Sequence, residues 1–166
     1  MSDDDPVIIY LDNTELYGPL KKAIKNFLCG NDEFVSTKFL DFLKEVQEND
    51  DIVVLTSELA EFESIRNLLT EFPELSFDKA YSSVFRLRGK YNIKSIDLRA
   101  FKTSNMNLDF FKKTGFDYKD GLHYQIAQEY DAYIISGDKK FKELAEKINP
   151  GKVIGRKQAY KLFRLL

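Results

Sequence analysis

The sequence predicts an α/β fold, a three-layer α/β/α sandwich around a mainly parallel sheet of roughly five strands. Three observations predict it. The short apolar runs Val7 to Leu11 (VIIYL), Ile52 to Leu55 (IVVL) and Ala132 to Ser136 (AYIIS) have the β-rich composition of strands buried on both faces. Longer segments with helical apolar spacing separate these runs, an alternation that implies parallel strands covered by helices on both sides. The 166 residues, 43% hydrophobic and 31% charged, suit one domain with its own core.

The elements follow in order. After the first strand, Leu16 to Leu28 is expected to be helical, with Pro19 in its first turn. Ser36 is a plausible N-cap for a second helix carrying Phe39, Leu40, Leu43 and Val46 at helical spacing. Ile52 to Leu55 is the second strand. Ser57 to Phe72 is a helix stopped by Pro73, with Phe62, Ile65, Leu69 and Phe72 as its core stripe. Further helices are expected over Phe77 to Lys90, Phe101 to Lys113 and Lys119 to Tyr130, and a strand over Ile93 to Leu98. The AYIIS strand leads to a helix from Lys139 to Ile148. Lys152 to Ile154 is a short edge strand, followed by a last helix to Leu166. Residues 1–6 are expected to form an acidic, disordered tail, and residues 7–166 a single domain.

Composition narrows the chemistry. No apolar run approaches the ~18–20 residues that a membrane helix needs, and the acidic N-terminus lacks the basic region of a signal peptide. The single cysteine, Cys29, forbids an internal disulfide and fits a reducing, cytoplasmic setting. One Cys and one His argue against a zinc site or a thiol–imidazole pair. Net charge is −2, unlike the strongly basic chains that hold nucleic acid by bulk electrostatics. The charge is uneven, however. Gly151 to Leu166 carries Lys152, Arg156, Lys157, Lys161 and Arg164 without an acid, and Lys139, Lys140 and Lys142 lie just upstream. This is either a solvated helix face or a phosphate-binding edge.

In parallel α/β folds, ligands bind beyond the carboxyl ends of the strands. Asp12 directly follows VIIYL, and Asp138 follows AYIIS and Gly137, so two strands deliver carboxylates to one edge. Either could be a helix N-cap; together they suggest a site for Mg²⁺ or Mn²⁺, which prefer oxygen ligands. The helix after Leu55-Thr56-Ser57 carries Glu58, Glu61 and Glu63. Glu61 and Glu63 border opposite sides of its apolar stripe, and periodicity does not choose between them. Asp120 and His123 share one helical face, where Asp120 could cap its helix and His123 could simply pack.

The order of these features resembles the PIN domain. The carrying segments are LeuAspAsnThr after the first strand, ThrSerGluLeuAlaGluPheGluSerIleArg, AspGlyLeuHis, and AspAlaTyrIleIleSerGlyAspLysLysPhe. The resemblance runs from about Val7 to Leu166. It places the family's acids on Asp12, Glu63, Asp120 and Asp138, aligning Thr56, Ser57, Leu59, Glu63 and Arg66 on the second motif. Ser136 falls where the family often has Thr or Ser, and Asp131 on a usually structural Asp. One departure is that Asn13-Thr14 follows Asp12 where the family commonly has Thr-Asn or Thr-Ser. That shifts the hydroxyl by one position. The stretch Phe101 to Tyr118 is unusually polar and could face a substrate or partner.

The resemblance implies a Mg²⁺- or Mn²⁺-dependent nuclease working through two metal ions, with RNA the expected substrate. Asp12 and Asp138 would bind metal directly, and Glu63 and Asp120 directly or through water. Thr14, Ser136 and His123 would support the ligands. Many family members are toxins of toxin–antitoxin pairs, so a protein antitoxin and a homodimer built on the helices between Leu16 and Val46 are possible partners. Two rivals stand beside this reading. One is a PIN-like scaffold that binds RNA or protein with little catalysis. The other is a haloacid-dehalogenase-type phosphatase using Asp12-Asn13-Thr14, although Lys142 stands where that family expects an acid.

Overall fold

The computed structural model describes residues 6–30, 36–48, 51–99 and 113–164. Five strands form one all-parallel sheet: β1 (Val7–Leu11), β2 (Ile52–Ser57), β3 (Lys94–Ile96), β4 (Tyr133–Ile135) and β5 (Val153–Ile154), in the order β3-β2-β1-β4-β5. Ile9 pairs with Val54 on one side of β1 and with Tyr133 on the other. Among the described residues there are seven helices: α1 (Asn13–Leu28), α2 (Lys38–Val46), α3 (Glu58–Glu71), α4 (Phe77–Lys90), α5 (Tyr118–Glu129), α6 (Lys139–Glu146) and α7 (Arg156–Leu162). None of them is long and apolar enough to cross a membrane.

The two faces of the sheet sort the helices into layers, because strand side chains alternate in direction. Ile9, Leu11, Val54 and Ile135 pack with α1 to α4 and α7 in one apolar core. Tyr10, Leu55, Ile134 and Val153 pack with α5 and α6 in the other. The result is the three-layer sandwich. In this strand order the chain leaves β1 toward β2 and leaves β4 toward β5, in opposite directions. The crevice between such diverging connections lies at the carboxyl ends of β1 and β4, where Asp12 and Asp138 stand.

Several local expectations shift. The first helix starts at Asn13 because the Asp12 carboxylate caps it, accepting from the Glu15 N–H at 3.2 Å. Pro19 therefore lies in the second turn, where its ring removes one intrahelical hydrogen bond. Thr37, one residue after Ser36, caps α2. On α3 the buried stripe runs through Ala60, Ile65, Leu68 and Phe72, while Phe62 is 53% exposed. The packed face of α3 is rotated because its neighbours α1 and α4 both lie on one side of the sheet. Leu16 and Leu20 of α1 and Phe39 and Leu43 of α2 are buried in their own chain's core, while Leu28 at the end of α1 is 41% exposed. The helix expected over Phe101 to Lys113, apart from Lys113 itself, and most of the polar stretch Phe101 to Tyr118 fall outside the described residues, as do residues 1–5 of the acidic tail.

Candidate active site

Asp12 is 4% exposed at the end of β1. Burial pushes its carboxyl up from the ordinary range, and hydrogen bonds from Ser136, Thr14 and the Glu15 backbone oppose that. Thr14 Oγ1 donates to Asp12 Oδ1 at 2.6 Å and accepts from the Gly137 N–H at 3.0 Å. One hydroxyl thus ties the loop after β1 to the loop after β4. Ser136 makes a second tie. Its hydroxyl hydrogen-bonds Asp12, and its Oγ accepts from the Asp138 N–H at 3.0 Å. Asp138 itself is exposed and caps α6, accepting from the Phe141 N–H at 2.9 Å.

Asp120 comes to this edge from α5. It does not cap that helix. Asp117 does, taking the backbone N–H groups of Lys119 at 3.0 Å and Asp120 at 2.9 Å. The Asp120 carboxyl is pushed up to about 6, first by burial, then by the charges of Asp117 and Asp138, with Asp12 adding and His123 opposing. Asp120 therefore feels the charges of both strand-end aspartates as well as that of Asp117.

Glu63 is placed differently. His123 Nε2 donates to its Oε2 at 3.0 Å, because a carboxylate only accepts, and Lys119 Nζ lies 3.4 Å from its Oε1. Burial alone would raise its carboxyl, but His123 and Lys119 together outweigh burial and hold it low. His123 is 4% exposed, and its Nδ1 meets the Tyr10 hydroxyl at 2.7 Å, which meets Ser57 Oγ at 2.7 Å. This buried chain joins β1, β2, α3 and α5. Glu61, the alternative on the other side of α3, pairs with Arg88 at 3.1 Å, and Glu58 accepts from the Leu98 N–H at 3.0 Å.

The donor set suits a hard divalent cation. Asp12, Asp120 and Asp138 offer only carboxylate oxygens, and a cation would offset the charges of Asp117, Asp138 and Asp12, which add to burial in raising the Asp120 carboxyl. As they stand, no three acidic, histidine or cysteine side chains among the described residues are close enough together to hold an ion. Asp12 and Asp138 have taken hydrogen-bond donors of their own, and like charges keep their distance. Asp120 and Asp138 keep contact with solvent, whereas Glu63 is committed to His123 and Lys119.

Comparison with known proteins adds to the fold. No family model matches the chain, and none of the curated proteins matches it. A solved structure does: the crystal structure of PAE2754 from Pyrobaculum aerophilum is 10% identical, with a TM-score of 0.57 over 100% of this chain and 96% of that one. At that identity the likeness is one of fold.

Lys139 and Lys140 are exposed in the first turn of α6, beside Asp138. Lys142 is half-buried in the same helix, and its charge also acts on Glu15. Asp131, with a φ of 48°, is gripped by Lys152 Nζ at 2.6 Å, so it fixes the turn before β4. Sequence reading missed Glu15, a fifth carboxylate near the edge, 2% exposed and ion-paired with Arg156. The signal was available: Asp12 followed three residues later by Glu15 has the spacing of a helix start. The Tyr10–Ser57 link and Lys119 carried no comparable local signal.

Proposed function

We propose that the chain is a metal-dependent nuclease that hydrolyses RNA at the edge formed by Asp12, Asp120 and Asp138. The observation that carries this reading is the gathering of these aspartates at the switch point between β1 and β4, where burial first, and then the charges of Asp117, Asp138 and Asp12, push the Asp120 carboxyl up to about 6. The motif order resembling the PIN domain supports it.

Asp12, Asp120 and Asp138 would hold Mg²⁺ or Mn²⁺, with Glu63 outside the direct ligands. The ion supplies an activated water and stabilises charge on the phosphate. Thr14 and Ser136 fix the Asp12 carboxylate and keep the two strand-end loops in register. His123 fixes Glu63 against α5 and thereby sets where α5 carries Asp120. The backbone of the first turn of α6, with Lys139 and Lys140, attracts the substrate phosphates without reading sequence. An antitoxin partner and a toxin role belong to this same reading.

A second reading has its own observation. Glu63 is engaged by His123 and Lys119, and a scaffold that binds RNA or protein without cutting would tolerate this. Incubation of labelled single-stranded RNA with Mn²⁺ separates the two. The nuclease reading predicts cleavage that Asp12→Asn abolishes. Binding without cleavage favours the scaffold.

A further inference from the structure

A cavity of about 280 Å³ opens where α1, the start of α2 and α7 meet. Its charged lining is Lys22 from α1, Lys38 from α2 and Arg156 from α7, with Thr37 and Tyr160 beside them and, among the described residues, no carboxylate. Glu15 balances Arg156 from outside this lining, so Lys22 and Lys38 leave the space with positive charge that an anion would offset. Lys22 and Lys38 are exposed, and neither has an ion-pair partner among the described residues.

Arg156 is held for use on this side. Its Nε is taken by Glu15, and its guanidinium carbon lies 4.5 Å from the centre of the Phe39 ring. The two Nη groups remain for the cavity, and Gly18 leaves Nη2 uncovered on the α1 side. A planar guanidinium with two spare donors suits the oxygens of a phosphate.

The cavity is also connected to the acidic edge. Glu15 Oε1 lies 3.6 Å from where a side chain on Gly137 would begin, and the Gly137 N–H is bonded to Thr14, which holds Asp12. Along α1, Asp12 and Gly18 are six residues apart, roughly 9 Å of helix axis. A chain of net charge −2 needs cations concentrated locally to hold a polyanion.

We propose that this cavity is a phosphate-binding subsite that takes a backbone phosphodiester of single-stranded nucleic acid running from the acidic edge over the first turns of α1. The inference rests on the nuclease reading for the direction of the strand, but not for the chemistry of the cavity.

The test is a resonance titration of the isotope-labelled wild-type chain in EDTA, with a single-stranded oligouridylate and, separately, inorganic phosphate. It is paired with fluorescence anisotropy of the labelled oligonucleotide on the wild type and on Lys22→Ala/Lys38→Ala. The oligonucleotide is expected to shift the Lys22, Lys38 and Arg156 signals at concentrations where inorganic phosphate does not. The double variant should bind about tenfold or more weakly, with a salt slope flatter by about 0.7. Shifts confined to the acidic edge, with equal affinity and slope in the variant, overturn the subsite and leave the nuclease reading standing. Shifts at the three cations without Mn²⁺-dependent cleavage uphold the subsite and sink the nuclease. Signals moved by inorganic phosphate but not by the oligonucleotide, or by neither, overturn the proposal.

Discussion

His123 and Glu63 are joined by a buried hydrogen bond of 3.0 Å, so the glutamate that the sequence aligns with a metal ligand is anchored to the helix carrying Asp120. Replacing His123 with Ala would leave Glu63 buried with Lys119 as its remaining partner, at a cost of about 1–3 kcal/mol. The Glu63 carboxyl is lowered in the fold, so its contribution is present above its ordinary value of 4.5 and is lost as pH falls through the folded value. The thermal stability of the wild type should therefore drop below about pH 4.5 more steeply than that of His123→Ala. Parallel curves for the two would sink this assignment.

Asp120 makes a prediction of opposite sign. Its folded carboxyl, at about 6, is raised above its ordinary value of 3.8. The stability linked to its proton is complete below that ordinary value and is lost as pH rises to about 6. Discounted for solvent screening, the loss is about 1–2 kcal/mol. Asp120→Asn should accordingly raise the melting temperature at pH 7 and hardly change it at pH 3.5. An equal shift at both pH values would show that Asp120 does not carry the repulsion.

Arg156 and Glu15 should behave as a coupled pair. Burial raises the Glu15 carboxyl, and Arg156 opposes this. Arg156→Ala leaves a buried acid without its main partner, and we expect a loss of about 1–3 kcal/mol, reduced from the fully buried case because the arginine side chain is 42% exposed. Adding Glu15→Gln should recover much of that loss. A double-mutant cycle by urea unfolding measures the coupling, and additive effects would contradict the pairing.

The sheet was legible because its strands announce themselves. VIIYL, IVVL and AYIIS carry enough apolar, β-branched character to be told from loops, and the alternation with helices implies their parallel sense. Asp12 and Asp138 were legible as strand-end carboxylates for the same reason, since Asp12 directly follows one such run and Asp138 follows another after Gly137. Choosing between Glu61 and Glu63 needed the resemblance, because both flank one stripe. Phe62 misled: its spacing matches a buried face, but the position of α3 against α1 and α4 decides which face is covered. The Ser57–Tyr10–His123–Glu63 chain was not legible, because its members are separated by 47, 113 and 60 residues and meet only after the sheet and α5 have packed.

The most direct test of the acidic edge is a calorimetric titration of the chain with Mn²⁺ at pH 7, alongside its melting temperature in the same series. The account predicts saturable binding, a melting temperature that rises with Mn²⁺ because the ion binds the folded edge, and loss of both in Asp12→Asn while its fold is kept. Absence of saturable binding with an unmoved melting temperature at millimolar Mn²⁺, or an Asp12→Asn chain that binds as the wild type does, would contradict it.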